Sequence, residues 1–98
     1  MNDKDAAIAR LNKLIDRIDT IESKTPYSHE FMKWHGDTEN LIEELFDDET
    51  HYVEDFNAIY FTPLFLSCRT DDSTFREAFQ GGLDEARSFL FSLIEELE

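Results

Sequence analysis

Residues 72–98 read DSTFREAFQGGLDEARSFLFSLIEELE, and the reading of that stretch decides the fold. Taken as one helix, it sets Phe75, Phe79, Leu83, Ala86, Leu90, Leu93 and Leu97 at steps of four and three. That is an apolar stripe about seven turns long, and a stripe of that length has to be covered by other elements. The other apolar periodicities in the chain are shorter and also helical. The spacing therefore predicts an all-α fold, a small bundle of about four main helices with a less regular passage over 57–70. Gly81 and Gly82 interrupt the long helix at a propensity cost of roughly 2 kcal/mol for the pair. They predict a kink, or a point where another backbone comes close, against a plain local bend.

Working outward, Ile8, Leu11, Ile15 and Ile18, with Leu14 and Ile21 alongside, mark an amphipathic helix from about Asp3 to Ser23, capped by Asn2 or Asp3. Thr25 and Pro26 stop it, because the residue before proline is pushed out of the helical region. Ser28 then reads as the N-cap of a second helix, with Glu30 in its first turn and Tyr27 closing over Met32 as a hydrophobic staple. Its inner face is Phe31, Trp34, Thr38, Leu41 and Leu45, with Ile42 and Phe46 beside them. Gly36 marks either a close approach by another helix or a surface glycine. A short third helix opens at Thr50 or His51 and carries Tyr52, Val53, Phe56, Ile59 and Tyr60. A strand over Ala58 to Phe61 is the competing assignment, and Thr62-Pro63 reads as the start of one more helical turn. The last helix starts at Asp72, at Ser73, or at Thr74 paired with Glu77 as a capping box.

Ninety-eight residues support one core, so the chain is expected to be a single acidic helical domain over 1–98. Nine Phe, three Tyr and one Trp make that core aromatic. Cys68 is the only cysteine, which rules out an intrachain disulfide. An unpaired thiol, no leader-like segment and no long apolar run together predict a cytoplasmic protein.

The net charge of −14 is unevenly placed. Residues 1–27 hold five acids (Asp3, Asp5, Asp16, Asp19, Glu22) and five bases (Lys4, Arg10, Lys13, Arg17, Lys24), which cancel. Between Lys33 and Arg69 there is no basic side chain, while Asp37, Glu39, Glu43, Glu44, Asp47, Asp48, Glu49, Glu54 and Asp55 crowd the same interval. Direct contact with nucleic acid or an anionic membrane is excluded on that distribution, since both demand Lys and Arg. A partner protein with a basic surface is the complementary expectation. Along the second helix, carboxylates four residues apart rise about 6 Å, close to the roughly 7 Å between phosphates on one strand, twice the 3.4 Å base step. An acidic helix can thus imitate a phosphate backbone.

No residue pattern carries catalysis. The acidic run Asp47 to Asp55 lacks the alternate spacing and the glycine of a calcium loop. His29, His35 and His51 have no zinc-site spacing, and one cysteine cannot build a thiolate cage. Cys68 follows the apolar run Leu64-Phe65-Leu66, which suits a small buried hydrophobe better than a nucleophile with His51 as base. No histidine follows Arg10, Arg17, Arg69, Arg76 or Arg87 at the four-to-six-residue distance that marks HEPN-type ribonucleases. No enzyme activity, metal or cofactor is expected. Trp34, in line with Phe31 and Leu41, reads as core rather than as a ligand platform.

The run Phe31-x-x-Trp34-x-x-x-Thr38-x-x-Leu41, then Leu45-Phe46, Phe56-x-x-Ile59-x-Phe61-x-Pro63, Phe79-x-Gly81-Gly82-Leu83 and Leu93-Ile94-x-Glu96-Leu97, resembles the helical segment that precedes TIR-like or other nucleotide-binding domains in bacterial anti-phage proteins. The family pattern has a glycine where this chain has Asp47. The resemblance implies a helical module in a phage–host setting and transfers no functional residue; nucleotide chemistry belongs to the effector domain. The function expected is an inhibitor or regulator that places the acidic face of residues 37–55 on a basic, nucleic-acid-binding surface of a partner, in the manner of a DNA mimic. The alternative is a helical interaction or oligomerisation domain acting through apolar surface. For that alternative, Leu90, Leu93 and Leu97 are the self-association residues of a homodimer, since the first helix is too short to cover them.

Overall fold

A computed structural model describes residues 3–25, 27–46, 51–62 and 72–98. These form four helices: α1 (Asp3–Ile21), α2 (His29–Leu45), α3 (His51–Asn57) and α4 (Asp72–Leu97). The fold is all-α, and the less regular passage between α3 and α4 is as expected over 58–62; residues 63–71 lie outside the described residues. The strand alternative over Ala58 to Phe61 is wrong, because the chain there is irregular and pairs with no strand.

α4 is the long helix that its stripe requires. Phe79, Leu83, Ala86, Leu90 and Leu93 are all buried, joined by Ile94, while Phe75 and Leu97 at the two ends are half-buried. α1 lies antiparallel along it. Lys4 Nζ reaches the carbonyl of Glu98 at 3.3 Å, Arg87 meets Asp19 at 3.1 Å, and Gln80 Nε2 donates to the carbonyl of Glu22 at 2.8 Å. This pairing brings Ala7, Leu11, Leu14, Ile15, Ile18 and Ile21 into the core. It also overturns the expectation that α1 leaves the last turns of α4 open. Leu90 and Leu93 are fully buried within the chain and offer no surface for self-association.

α2 runs antiparallel to α1 on its other side. Trp34 sits fully buried at that seam, with Nε1 donating to the carbonyl of Leu14 at 2.9 Å, so its one polar atom is satisfied where water cannot reach. Thr38 is buried on the same terms, its hydroxyl donating to the carbonyl of Trp34 at 2.8 Å. α3 folds back antiparallel along the opposite edge of α2, with Phe46 against Tyr52 at 4.8 Å and His35 against Phe56 at 4.7 Å between ring centres. Phe31 holds the centre, touching Phe61 at 4.9 Å and Phe79 at 5.3 Å.

The two glycines of α4 behave differently from each other. The helix is continuous through both, so they do not break it. Gly81 has open space where a side chain would be, whereas Gly82 lies directly under the backbone of Tyr60 and Phe61. Of the two expectations for this pair, close approach holds at Gly82. Gly36 likewise has nothing near it and is a plain glycine of the helix surface.

Local signals were met unevenly. Ser28 is the N-cap of α2, accepting from the Phe31 amide at 3.1 Å. Losing that acceptor in Ser28→Ala should cost about 1 kcal/mol, read as a drop of several degrees in the circular-dichroism melt. The staple beside it does not form, since Tyr27 and Met32 remain 69% and 63% exposed. Tyr60 is also turned outward, because the chain leaves helical geometry after Asn57 and the alternation then carries Phe61 inward instead. Asp3 is inside α1 and not its cap, and Ser73 and Thr74 are inside α4, so the Thr74–Glu77 capping box is not the start of that helix. Asn2, Pro26, Thr50, Pro63 and Cys68 lie outside the described residues.

Candidate functional site

At about 100° per residue, the acids of α2 beyond Glu30 in its first turn, which is exposed and unpaired among the described residues, fall on two lines. Asp37 and Glu44 share the line beside α1; Glu39 and Glu43 lie roughly 130° further round, beside α3. The first line is neutralised. Arg10 pairs with Glu44 at 2.6 Å and Arg17 with Asp37 at 3.0 Å, while Lys33 stands 3.6 Å from Asp37 along α2 itself. The bases of α1 therefore do not cancel the acids of α1, as their even numbers suggested. Arg10 and Arg17 reach across to α2, and Asp3, Asp5 and Asp16 are left exposed on the outer side of their own helix.

Asp37 feels this most. The hydrogen bond from Arg17, with Lys33 nearby, holds its carboxyl below the usual aspartate range against a smaller opposing effect of burial. A carboxyl lowered in the folded state stabilises above its unfolded value, about 3.9, and that contribution is lost as pH falls through the lowered folded value. Asp37→Asn should therefore lower the urea midpoint at neutral pH by an amount worth less than about 1 kcal/mol, since the pair is partly exposed and screened. Once the pH is below the lowered folded value the two midpoints should converge. A gap that persists in acid would mean that packing, not charge, is what the carboxylate supplies. Glu43→Gln is the matching control, and should be neutral or slightly stabilising because it only relieves repulsion.

The second line keeps its charge. Glu43 is exposed with no partner among the described residues, and so are Glu54 and Asp55 on the adjoining α3. Glu39 is half-buried and meets His35 Nδ1 at 2.9 Å. His35 itself is wedged among Phe31, Phe56 and Phe61, which makes it an edge of the aromatic core. Asp47, Asp48 and Glu49 lie outside the described residues. On α2 and α3 the exposed acids without a partner thus include Glu43, Glu54 and Asp55, and α4 carries others at Glu77, Glu85, Glu95 and Glu96.

No protein-family model, curated protein or solved structure matches the chain. The site's own chemistry is the guide to its role. Among the described residues no group of His, Cys, Asp and Glu is arranged to hold a metal ion. None of the described helices is long and apolar enough to cross a membrane. Trp34 is buried, so it presents no stacking platform.

Two features were missed in the sequence. One is the cross-pairing of α1 and α2, for which a signal existed: Arg10 and Arg17 are seven apart, and so are Asp37 and Glu44, which is the repeat of a shared helix seam. The other is a cleft beside the α1–α2 turn that gathers Lys24, Tyr27, Phe75 and Arg76. Nothing local in the sequence joins residues that far apart.

Proposed function

We propose that this chain is a non-catalytic, acidic protein-binding module that occupies a basic, nucleic-acid-binding surface of a partner and so inhibits or regulates it. The observation that carries this reading is the unequal treatment of the acids on α2. One line is consumed by Arg10 and Arg17, while Glu43, together with Glu54 and Asp55 of α3, is exposed and unpaired among the described residues. Unpaired carboxylates repel one another and contribute no contact to the fold, so they are suited to a cationic surface brought from outside. Glu39 and Glu43 rise about 6 Å apart along the helix, near the spacing of successive phosphates. A setting in phage–host conflict is part of this proposal and rests only on the resemblance in hydrophobic pattern over most of residues 31–97.

The test is capture of partners from a host lysate on the immobilised chain, with bound proteins identified by mass spectrometry. The expected partner is a basic nucleic-acid-binding protein that is released by high salt and displaced by duplex DNA or RNA. Partners that resist salt and ignore nucleic acid would overturn the reading.

A further inference from the structure

A cleft of about 550 Å³ opens where the α1–α2 turn meets the first turns of α4. Ligand pockets span roughly 300–1,000 Å³ and are mostly apolar with a few convergent polar groups. Here Tyr27, Phe75 and Phe79 supply the apolar lining, and Lys24, Arg76 and Glu22 supply the charge. The wall is built rather than incidental. Gln80 ties the Glu22 carbonyl to α4 at 2.8 Å, and Ser28 Oγ donates to the Thr25 carbonyl at 2.9 Å, which fixes the turn that carries Lys24 and Tyr27.

The charge of this cleft runs against that of the chain. Arg10, Arg17, Lys33 and Arg87 are each engaged by a carboxylate. Lys24 and Arg76 are exposed and have no acidic partner among the described residues, yet both line the same cavity. Set against Glu22, they leave one net positive charge over an aromatic surface, in a chain of net charge −14.

We propose that the cleft binds a small organic anion, its aromatic or aliphatic body lying on Tyr27, Phe75 and Phe79 and its acidic group meeting Lys24 and Arg76. The acidic group of such a molecule can form charge-assisted hydrogen bonds with Lys24 and Arg76 while its body covers the rings. An acidic peptide or nucleic acid is the poorer occupant, because the field of the whole chain repels a polyanion far more than a single acidic group. The cleft lies away from the α2–α3 edge, so its occupancy is independent of the partner-binding reading.

The probe is anilinonaphthalene sulfonate, an aromatic anion, with its neutral counterpart phenylnaphthylamine as control. Fluorescence titration of the folded chain should give saturable one-to-one binding of the sulfonate, with amide shifts confined to residues 22–28 and 75–80. Lys24→Glu combined with Arg76→Glu should weaken it at least about tenfold with an unchanged melt, and the neutral probe should bind about as weakly as the variant. Tyr27→Ala, at an exposed position, should weaken it several-fold and serves if the double variant proves unstable. Absent binding, shifts centred on Tyr60 or Phe91, equal affinity for the neutral probe, or indifference to both variants would each overturn the proposal.

Discussion

Gly82→Ala should melt roughly 10 °C below the parent chain, while Gly81→Ala, one residue earlier, should melt above it. In a helix interior, alanine is favoured over glycine by about 1 kcal/mol, and at Gly81 that gain is realised because the new methyl enters open space. At Gly82 the methyl would drive into the carbonyl oxygen of Tyr60 and lie 2.7 Å from Phe61 Cδ1 and 3.1 Å from Phe61 Cα. Two of these three atoms belong to backbone and cannot rotate away. The passage over 58–62 has to lift from α4, and Phe61 then withdraws from Phe31 at 4.9 Å and from Trp34 at 6.2 Å. Overpacking of this kind costs about 1–3 kcal/mol, and lost aromatic contacts add to it. A net loss near 2 kcal/mol corresponds to about 8–16 °C in a domain of this size. Side-by-side thermal melts of the three proteins decide it. Equal or higher stability of Gly82→Ala would mean that the passage after α3 does not lie on α4.

The paired glycines also show where sequence reading reaches its limit. Propensity identifies both as costly, and pairing raises the expectation of a close approach. Which of the two is under another backbone depends on how the chain returns from α3, and no local pattern encodes that path. The apolar stripe of α4 was legible because burial against any partner helix imposes the same steps of three and four. Its inner residues are buried as expected. The extent of its cover was not legible: the first helix was expected to lack the length in the right register to cover Leu90, Leu93 and Leu97, but antiparallel placement from Lys4 at Glu98 to Glu22 at Gln80 puts α1 over that end, with Leu90 and Leu93 buried and Leu97 half-buried. The acidic site was half legible. The density of carboxylates between Lys33 and Arg69 is plain in the sequence. The division of α2 into a paired line and an unpaired line was readable only by asking which bases share the seven-residue repeat of Asp37 and Glu44. Counting charge within residues 1–27 hid this, because the count treats neighbours in sequence as neighbours in space.

That division determines how the partner surface should be tested. Replacing Glu43, Glu54 and Asp55 together by lysine should weaken binding of the captured basic partner by about a hundredfold or more, since like charges facing each other across an interface cost several kcal/mol. Glu44 is left in place because Arg10 would lose its carboxylate, and a fold defect would then be mistaken for a binding defect. The matched control reverses the same amount of charge on the outer side of α1, with Asp3, Asp5 and Asp16 changed to lysine; all three are exposed and lie on α1. If binding is set by the local α2–α3 edge, the first triple loses the partner and the second retains most of its affinity. If net charge alone attracts the partner, the two triples weaken binding equally, and the site assignment fails although the acidic character still matters. Raising salt separates these further. The parent affinity should fall steeply as exposed charges are screened, and whatever affinity the first triple keeps should respond to salt far less, because its remaining contacts are no longer favourable ion pairs. Calorimetric titrations at low and high salt, with melts of each variant, measure all of this on one preparation. A first triple that binds like the parent would remove Glu43, Glu54 and Asp55 from the interface.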